Sequence, residues 1–103
     1  MSRDGHVLDG PHGRITIEGD ALAGLVVTAA ELVDGARVRR PRRGVDIAVA
    51  DGSVRVVVEL AARYGIVLPS LARAVQTAVT AALGLSAGLV VERVDVSVEV
   101  LDQ

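Results

Sequence analysis

Hydrophobic and polar residues alternate with a period of two in several stretches of the chain, as is typical of half-buried β-strands. In the first stretch, Ile15 and Ile17 alternate with polar side chains. In the last, Val94, Val96 and Val98 do the same. The pattern predicts strands at residues 14–19, 36–40, 45–50, 53–61 and 89–101.

Two other stretches have the spacing of amphipathic helices. In the first, Asp34-Gly35 is the predicted end, and the stripe expected to face the core is Leu22, Leu25, Val26, Ala29, Leu32 and Val33. In the second, residues 69–83, Pro69 is acceptable in the first turn, and a glycine-rich break is expected at 84–88. Its predicted core stripe is Leu71, Val75, Ala78, Val79 and Ala82.

The order strand, helix, three strands, helix, strand predicts an α+β fold, a two-layer domain with both helices on one face of a mixed β-sheet. Asp51-Gly52 is a strong signal for a hairpin between the third and fourth of these strands. The strands on either side of the second helix are expected to be parallel. Residues 1–13 lack periodicity and are predicted to be a flexible tail, so that residues 14–103 form a single domain.

Composition narrows the class of protein. The chain has 103 residues, which suffice for one core, and 50% of them are hydrophobic, which excludes a disordered polymer. With no cysteine there is no disulfide or thiolate metal site, as is compatible with a reducing compartment. No apolar run approaches the roughly 20 residues that span a bilayer. We therefore expect a cytoplasmic protein without a transmembrane segment of its own.

Candidates for catalysis are few. His6 and His12 both lie in the predicted tail, where nothing would hold them beside a substrate. The carboxylates of Asp46, Glu59 and Asp95 fall on the outward phase of strands, where solvation or pairing with arginine is the ordinary explanation. The sequence therefore predicts a protein that is not an enzyme and that needs no metal or cofactor.

A cluster of arginines is the sharpest electrostatic feature. Its members are Arg37, Arg39, Arg40, Arg42 and Arg43. Such a cluster is typical of contact with phosphate or with an acidic partner, whereas the net charge of −2 and the single aromatic residue argue against nucleic acid. A solvated basic loop, an acidic protein or lipid headgroup, and nucleic acid all remain open, as does contact with the acidic end of a second copy.

The outer side of the first helix is unusually apolar and small-sided, and Glu31 is its only charge. A partner could approach such a surface closely, and exposed alanine is the plain alternative. The predicted partner-binding residues are Ala23, Gly24, Val27, Thr28, Ala30 and Glu31.

Taken together, residues 13–101 resemble the alkaline shock proteins, also called envelope stress response proteins, of Gram-positive bacteria. The resemblance rests on GRITIEG, ELVDGA, ARYGIVLPSLARAVQTAV and GLVVERVDVSVEV in this order. Within the third segment, Val75, Gln76 and Val79 carry a Val-Gln-x-x-Val pattern. The arginine cluster and the aromatic-poor core depart from the family's usual pattern.

The resemblance implies a non-enzymatic cytoplasmic scaffold or adaptor linked to envelope stress. It implies self-assembly into a homo-oligomer and, in some members, attachment beside the membrane through a membrane-anchored protein partner. It transfers no catalytic residue. The alternative left open by the residues themselves is a nucleic-acid-binding module that uses the arginine-rich segment 37–43.

Overall fold

A computed structural model describes residues 3–39 and 44–101. Within them, two helices and six strands follow one another along the chain. They are β1 (His6–Gly10), β2 (Gly13–Ile17), α1 (Gly19–Glu31), β3 (Arg37–Val38), β4 (Val45–Ala50), β5 (Ser53–Arg63), α2 (Leu68–Ala87) and β6 (Val90–Leu101).

The main sheet is built around β5. On one side of it β4 and β3 each pair directly with β5, antiparallel, at successive stretches of that strand. Val45 lies opposite Val58, and Val38 lies opposite Leu60. On the other side β6 runs parallel to β5 along its whole length. The predicted mixed sheet and the predicted parallel pair across α2 are therefore confirmed.

The turn between β4 and β5 explains their register. Asp51 and Gly52 have φ values of 52° and 78°, and Ala50 lies opposite Ser53. Two successive positive φ values give the turn the twist that matches a two-residue hairpin. The hairpin predicted from Asp51-Gly52 is thus present, and it directs the alternating valines of both strands to the same face.

Both helices lie on that face of the main sheet. α1 packs against α2, β3 and β4, and α2 also packs against β6. Since every second residue of β5 from Val54 to Leu60 is fully buried, the core lies between the sheet and the helices. The predicted α+β fold with two layers is confirmed.

The N-terminal segment differs from the prediction. Residues 6–10, expected in a tail without regular structure, form β1, which pairs with β2 in a separate two-stranded sheet. β2 is therefore not a strand of the main sheet, and Ile15 is 62% exposed instead of buried. The prediction was wrong because His6–Gly10 has too few hydrophobic residues to reveal a strand without its partner.

The helix ends also differ from the prediction. α1 ends at Glu31, three residues before Asp34, so Leu32 from the predicted core stripe is 82% exposed. α2 continues through the predicted break to Ala87, where Gly88 adopts the left-handed conformation that commonly terminates a helix. Ala87 joins the core as a result, and Leu83, the last residue of the predicted helix, is buried although the predicted core stripe omits it.

Candidate interaction surfaces

The face of the main sheet opposite the helices lacks a covering layer among the described residues. We call it the open face; it is formed by the alternate residues of β4, β5 and β6 that point away from the helices. Its centre is small and apolar, with Ala48 exposed and Val57 40% exposed. A shallow depression of about 290 Å³ on it is lined by Asp46, Ala48, Arg55, Val57, Arg93 and Asp95.

Ion pairs surround this apolar centre. Two nitrogens of the Arg55 guanidinium lie 2.9 and 3.0 Å from the same carboxylate oxygen of Glu92. Arg93 donates to Asp95, two residues along β6, at 2.9 Å. This hydrogen bond and the charge of Asp95, with a smaller contribution from the charge of Glu92, raise the pKa of Arg93 above its ordinary value. The open face therefore carries fixed charges of both signs around exposed Ala48 and Val57.

The structure describes only Arg37 and Arg39 of the arginine cluster. Arg40, Arg42 and Arg43 lie outside the described residues. Arg39 lies between two carboxylates, 4.0 Å from Glu59 and 3.7 Å from Glu99. The charge of Arg39 is therefore partly offset by carboxylates of its own chain, which weakens its contribution to the predicted phosphate contact.

Arg37 lines a second concavity among the described residues. This cleft has a volume of about 700 Å³ and lies between the end of α1 and the turn that follows β5. Its charged lining residues are Glu31, Asp34, Arg37 and Arg63. Because both signs are present in it, the cleft lacks the single-signed field that would concentrate an anion.

The predicted partner surface on α1 is not one exposed face. Ala23 and Ala30 are buried at 3% and 0% exposure, because α1 packs against α2 as well as against the sheet. Val27 is half-buried against the core, and Glu31 accepts a hydrogen bond from the backbone N–H of Val38 at 3.0 Å. Gly24 and Thr28 remain exposed.

The two histidines, both predicted to lie in a flexible tail, differ in their exposure to solvent. His12 is exposed in the turn between β1 and β2. His6 is 6% exposed and lies opposite Ile17, and its Nε2 has no hydrogen-bond partner. Within residues 3–39 and 44–101, no three histidine, aspartate or glutamate side chains are grouped closely enough to hold a metal ion.

The two lateral edges of the main sheet differ in whether another segment is hydrogen-bonded to them. Along β4, the backbone N–H of Asp4 donates to Ile47 at 3.1 Å, and the Asp4 carboxylate accepts from the N–H of Val49 at 3.0 Å. Along β6, β5 is the only paired strand in the described part of the chain. Sequence reasoning missed this edge because alternation shows which face a residue occupies and not where its strand lies in the sheet.

Together, these features define a small two-layer α+β domain with candidate binding surfaces on its open face and at its β6 edge. Solved structures of the same fold include three variants of MamM CTD, one in a copper form and one in a nickel form. They are 21–22% identical to the chain, with TM-scores of 0.61–0.62. The match covers 80% of this chain and 94–98% of theirs.

The chain belongs to the alkaline shock protein 23 family, whose model matches residues 28–102 and which has a cell envelope-related function. The resemblance noted in the sequence is thereby confirmed. A comparison with curated proteins finds no match. Neither helix in the described part of the chain combines the length and hydropathy required to cross a bilayer.

Proposed function

We propose that the protein is a non-enzymatic cytoplasmic adaptor of the envelope stress response type. It acts by self-association, by docking to a membrane-associated partner, or by both. Membership of a family with a cell envelope-related function carries this proposal. The open face and the β6 edge support it, since they offer side chains and backbone groups to a second protein.

Binding to nucleic acid is the competing function. It would require the arginine cluster to present uncompensated positive charge to phosphates. Arg39 lies against Glu59 and Glu99, and Arg37 shares its cleft with two acidic side chains. These contacts favour the adaptor over the nucleic-acid-binding module.

Sedimentation velocity over a wide range of concentrations tests self-association. Crosslinking in the native cell, followed by capture from separated membrane and soluble fractions, tests docking. We expect concentration-dependent oligomers, a specific membrane protein in the membrane fraction, or both. A monomer at every concentration, without a membrane partner and with a salt-sensitive shift of labelled RNA, would overturn the proposal in favour of the competing function.

A further inference from the structure

The direction of the backbone groups shows what the β6 edge can bind. The N–H of Glu59 donates to Gly44 and its C=O accepts from Arg39, so the odd-numbered residues of β5 bond away from β6. The even-numbered residues of β5 therefore bond to β6. In a parallel pair, a residue bonds to the two residues that flank its partner on the other strand. Val56 lies opposite Val94 and therefore bonds to the backbone of Arg93 and Asp95. The N–H and C=O groups of Val94, Val96, Val98 and Val100 consequently point out from the edge.

Gln76 gives independent support for this direction. Its side-chain amide reaches from α2 and donates to the C=O of Val94 at 2.9 Å. A carbonyl oxygen has two lone pairs, so it can still accept a second hydrogen bond. The side chain thus meets one outward group without closing the edge.

The edge has little of the protection that exposed strands usually carry. Such strands are shielded by charged side chains, above all lysine, by proline, by bulges or by a covering segment. β6 contains neither proline nor lysine, and its one irregularity lies near its start, where Glu92 is passed over between Val91 and Arg93 in the pairing with β5. From Arg93 to Leu101 the strand is regular. By contrast, the edge at β4 is covered by Arg3 and Asp4.

We infer that the β6 edge pairs with the β6 edge of a second copy, antiparallel, about a two-fold axis that passes beside Val96. This inference rests on the self-association in the proposed function and assigns the surface to it. Pairing joins two main sheets into one. It places Val96 opposite Val96 and Val94 opposite Val98 as hydrogen-bonded pairs, with both helical layers on the same face.

The charges of β6 favour this register over a shift by two residues. With Val96 on the axis, Arg93 lies opposite Glu99 of the second copy, and the pair occurs twice by symmetry. Asp95 then lies opposite Ser97. Sliding the strands by two residues places Asp95 opposite either Asp95 or Glu99, and like charges directly opposite are destabilising. The inferred register therefore pairs opposite charges at both ends of the paired segment and sets no like charges directly opposite each other.

The contacts that Arg93 and Glu99 make within one copy leave room for these pairs. Arg93 uses its Nε for Asp95, so its terminal nitrogens remain to reach across the edge. Glu99 lies 3.7 Å from Arg39, and both side chains are about half exposed. Exposed pairs of this kind are weak and rearrange readily.

Charge reversal tests the register. Arg93→Glu and Glu99→Arg each place like charges across both symmetric positions, so each variant alone should dimerise about ten-fold more weakly than the wild type. An equimolar mixture of the two variants restores both attractive pairs. It should therefore form a heterodimer of near wild-type affinity in sedimentation velocity. Arg14→Glu, which changes an exposed, ion-paired arginine on β2, is the matched control and should leave dimerisation unchanged.

Cysteine crosslinking locates the axis in a chain that has no native cysteine. Val96→Cys should form a disulfide-linked dimer on mild oxidation, whereas Val98→Cys should not, because its own copy lies four residues away along the partner strand. A crosslink at Val98→Cys alone would overturn the register.

The outcomes separate this inference from the proposed function. A wild type that self-associates as strongly as both charge variants, with no rescue on mixing, refutes the β6 interface and leaves the adaptor function standing. A wild type that stays monomeric refutes self-association itself, so that docking alone would remain of the proposed function. Circular dichroism of each variant identifies any loss of folding, and a misfolded variant would fail to associate on mixing.

Discussion

Replacing Val58 and Val57 by alanine, one at a time, tests whether the helices cover a single face of the main sheet. The two residues are neighbours on β5 and undergo the same chemical change. Val58 is 0% exposed, on the helix side, whereas Val57 is 40% exposed on the open face. The difference between the two variants therefore isolates burial.

The structure gives the size of this difference. Alanine lacks two methyl groups of valine, and burying them contributes about 1.6 kcal/mol to the free energy of unfolding when the side chain is fully buried. At Val58 the cavity left behind adds on the order of 1 kcal/mol, for a loss of about 2–3 kcal/mol. At Val57 the partial exposure and the absence of an enclosing layer limit the loss to about 1 kcal/mol.

Thermal unfolding followed by circular dichroism, at one protein concentration for all variants, measures both effects. For a domain of this size the melting temperature should fall by roughly 10–20 °C in Val58→Ala and by about 4–8 °C in Val57→Ala. Urea titrations should rank the variants in the same order. Equal losses would show that the open face is as tightly covered as the helix side, and would refute the two-layer arrangement on which the candidate surfaces depend.

Three further predictions rest on substitutions at four positions. Gly44→Ala should lower the free energy of unfolding by about 1–3 kcal/mol in a urea titration, since a Cβ there would overlap the Arg39 carbonyl oxygen. Gly24→Ala on α1, where a Cβ would meet nothing within 4 Å, should raise this free energy by about 0.5–1 kcal/mol in the same titration. Asp4→Ala should accelerate amide hydrogen exchange at Val49, and Asp4→Asn should not, because the amide oxygen still accepts; equal exchange in both variants would contradict the assigned bond. Thr28→Arg should leave the melting temperature unchanged and abolish capture of the membrane partner if α1 is the docking surface; unchanged capture would exclude that surface.

The faces of the main strands could be predicted from the sequence because alternation reports burial directly. Val54, Val56 and Val58 are buried as the pattern predicts, and the Asp51-Gly52 turn sets their register with β4. Alternation fails at β1, where Val7 and Leu8 are the only hydrophobic residues between histidine, aspartate and glycine. The signal that could have predicted this hairpin is Gly10-Pro11-His12-Gly13, because glycine and proline favour turns and this segment joins β1 to β2.

The candidate surfaces were harder to predict, because they depend on how the elements pack. The small residues of α1 suggest an external partner, yet Ala23 and Ala30 are buried at contacts within the chain. A helix that packs against both a sheet and a second helix needs two apolar stripes, and sequence alone does not distinguish the second stripe from an interface. In the same way, the carboxylates beside Arg39 come from β5 and β6, which are distant from it in the sequence.

Among the described residues, one edge of the main sheet is covered and the other is not, and this difference determines what kind of assembly edge pairing can give. Interfaces that join unlike surfaces generate closed rings or open filaments, whereas an interface that joins a surface to itself closes at two copies. In the described part of the chain Arg3 and Asp4 occupy the β4 edge, so a β6 edge would find its own counterpart on the second copy. The Arg93–Glu99 register has the same symmetry, because it is satisfied by two identical strands. Edge pairing through β6 therefore leads to a closed dimer, and any larger assembly would have to use a different surface, such as the open face.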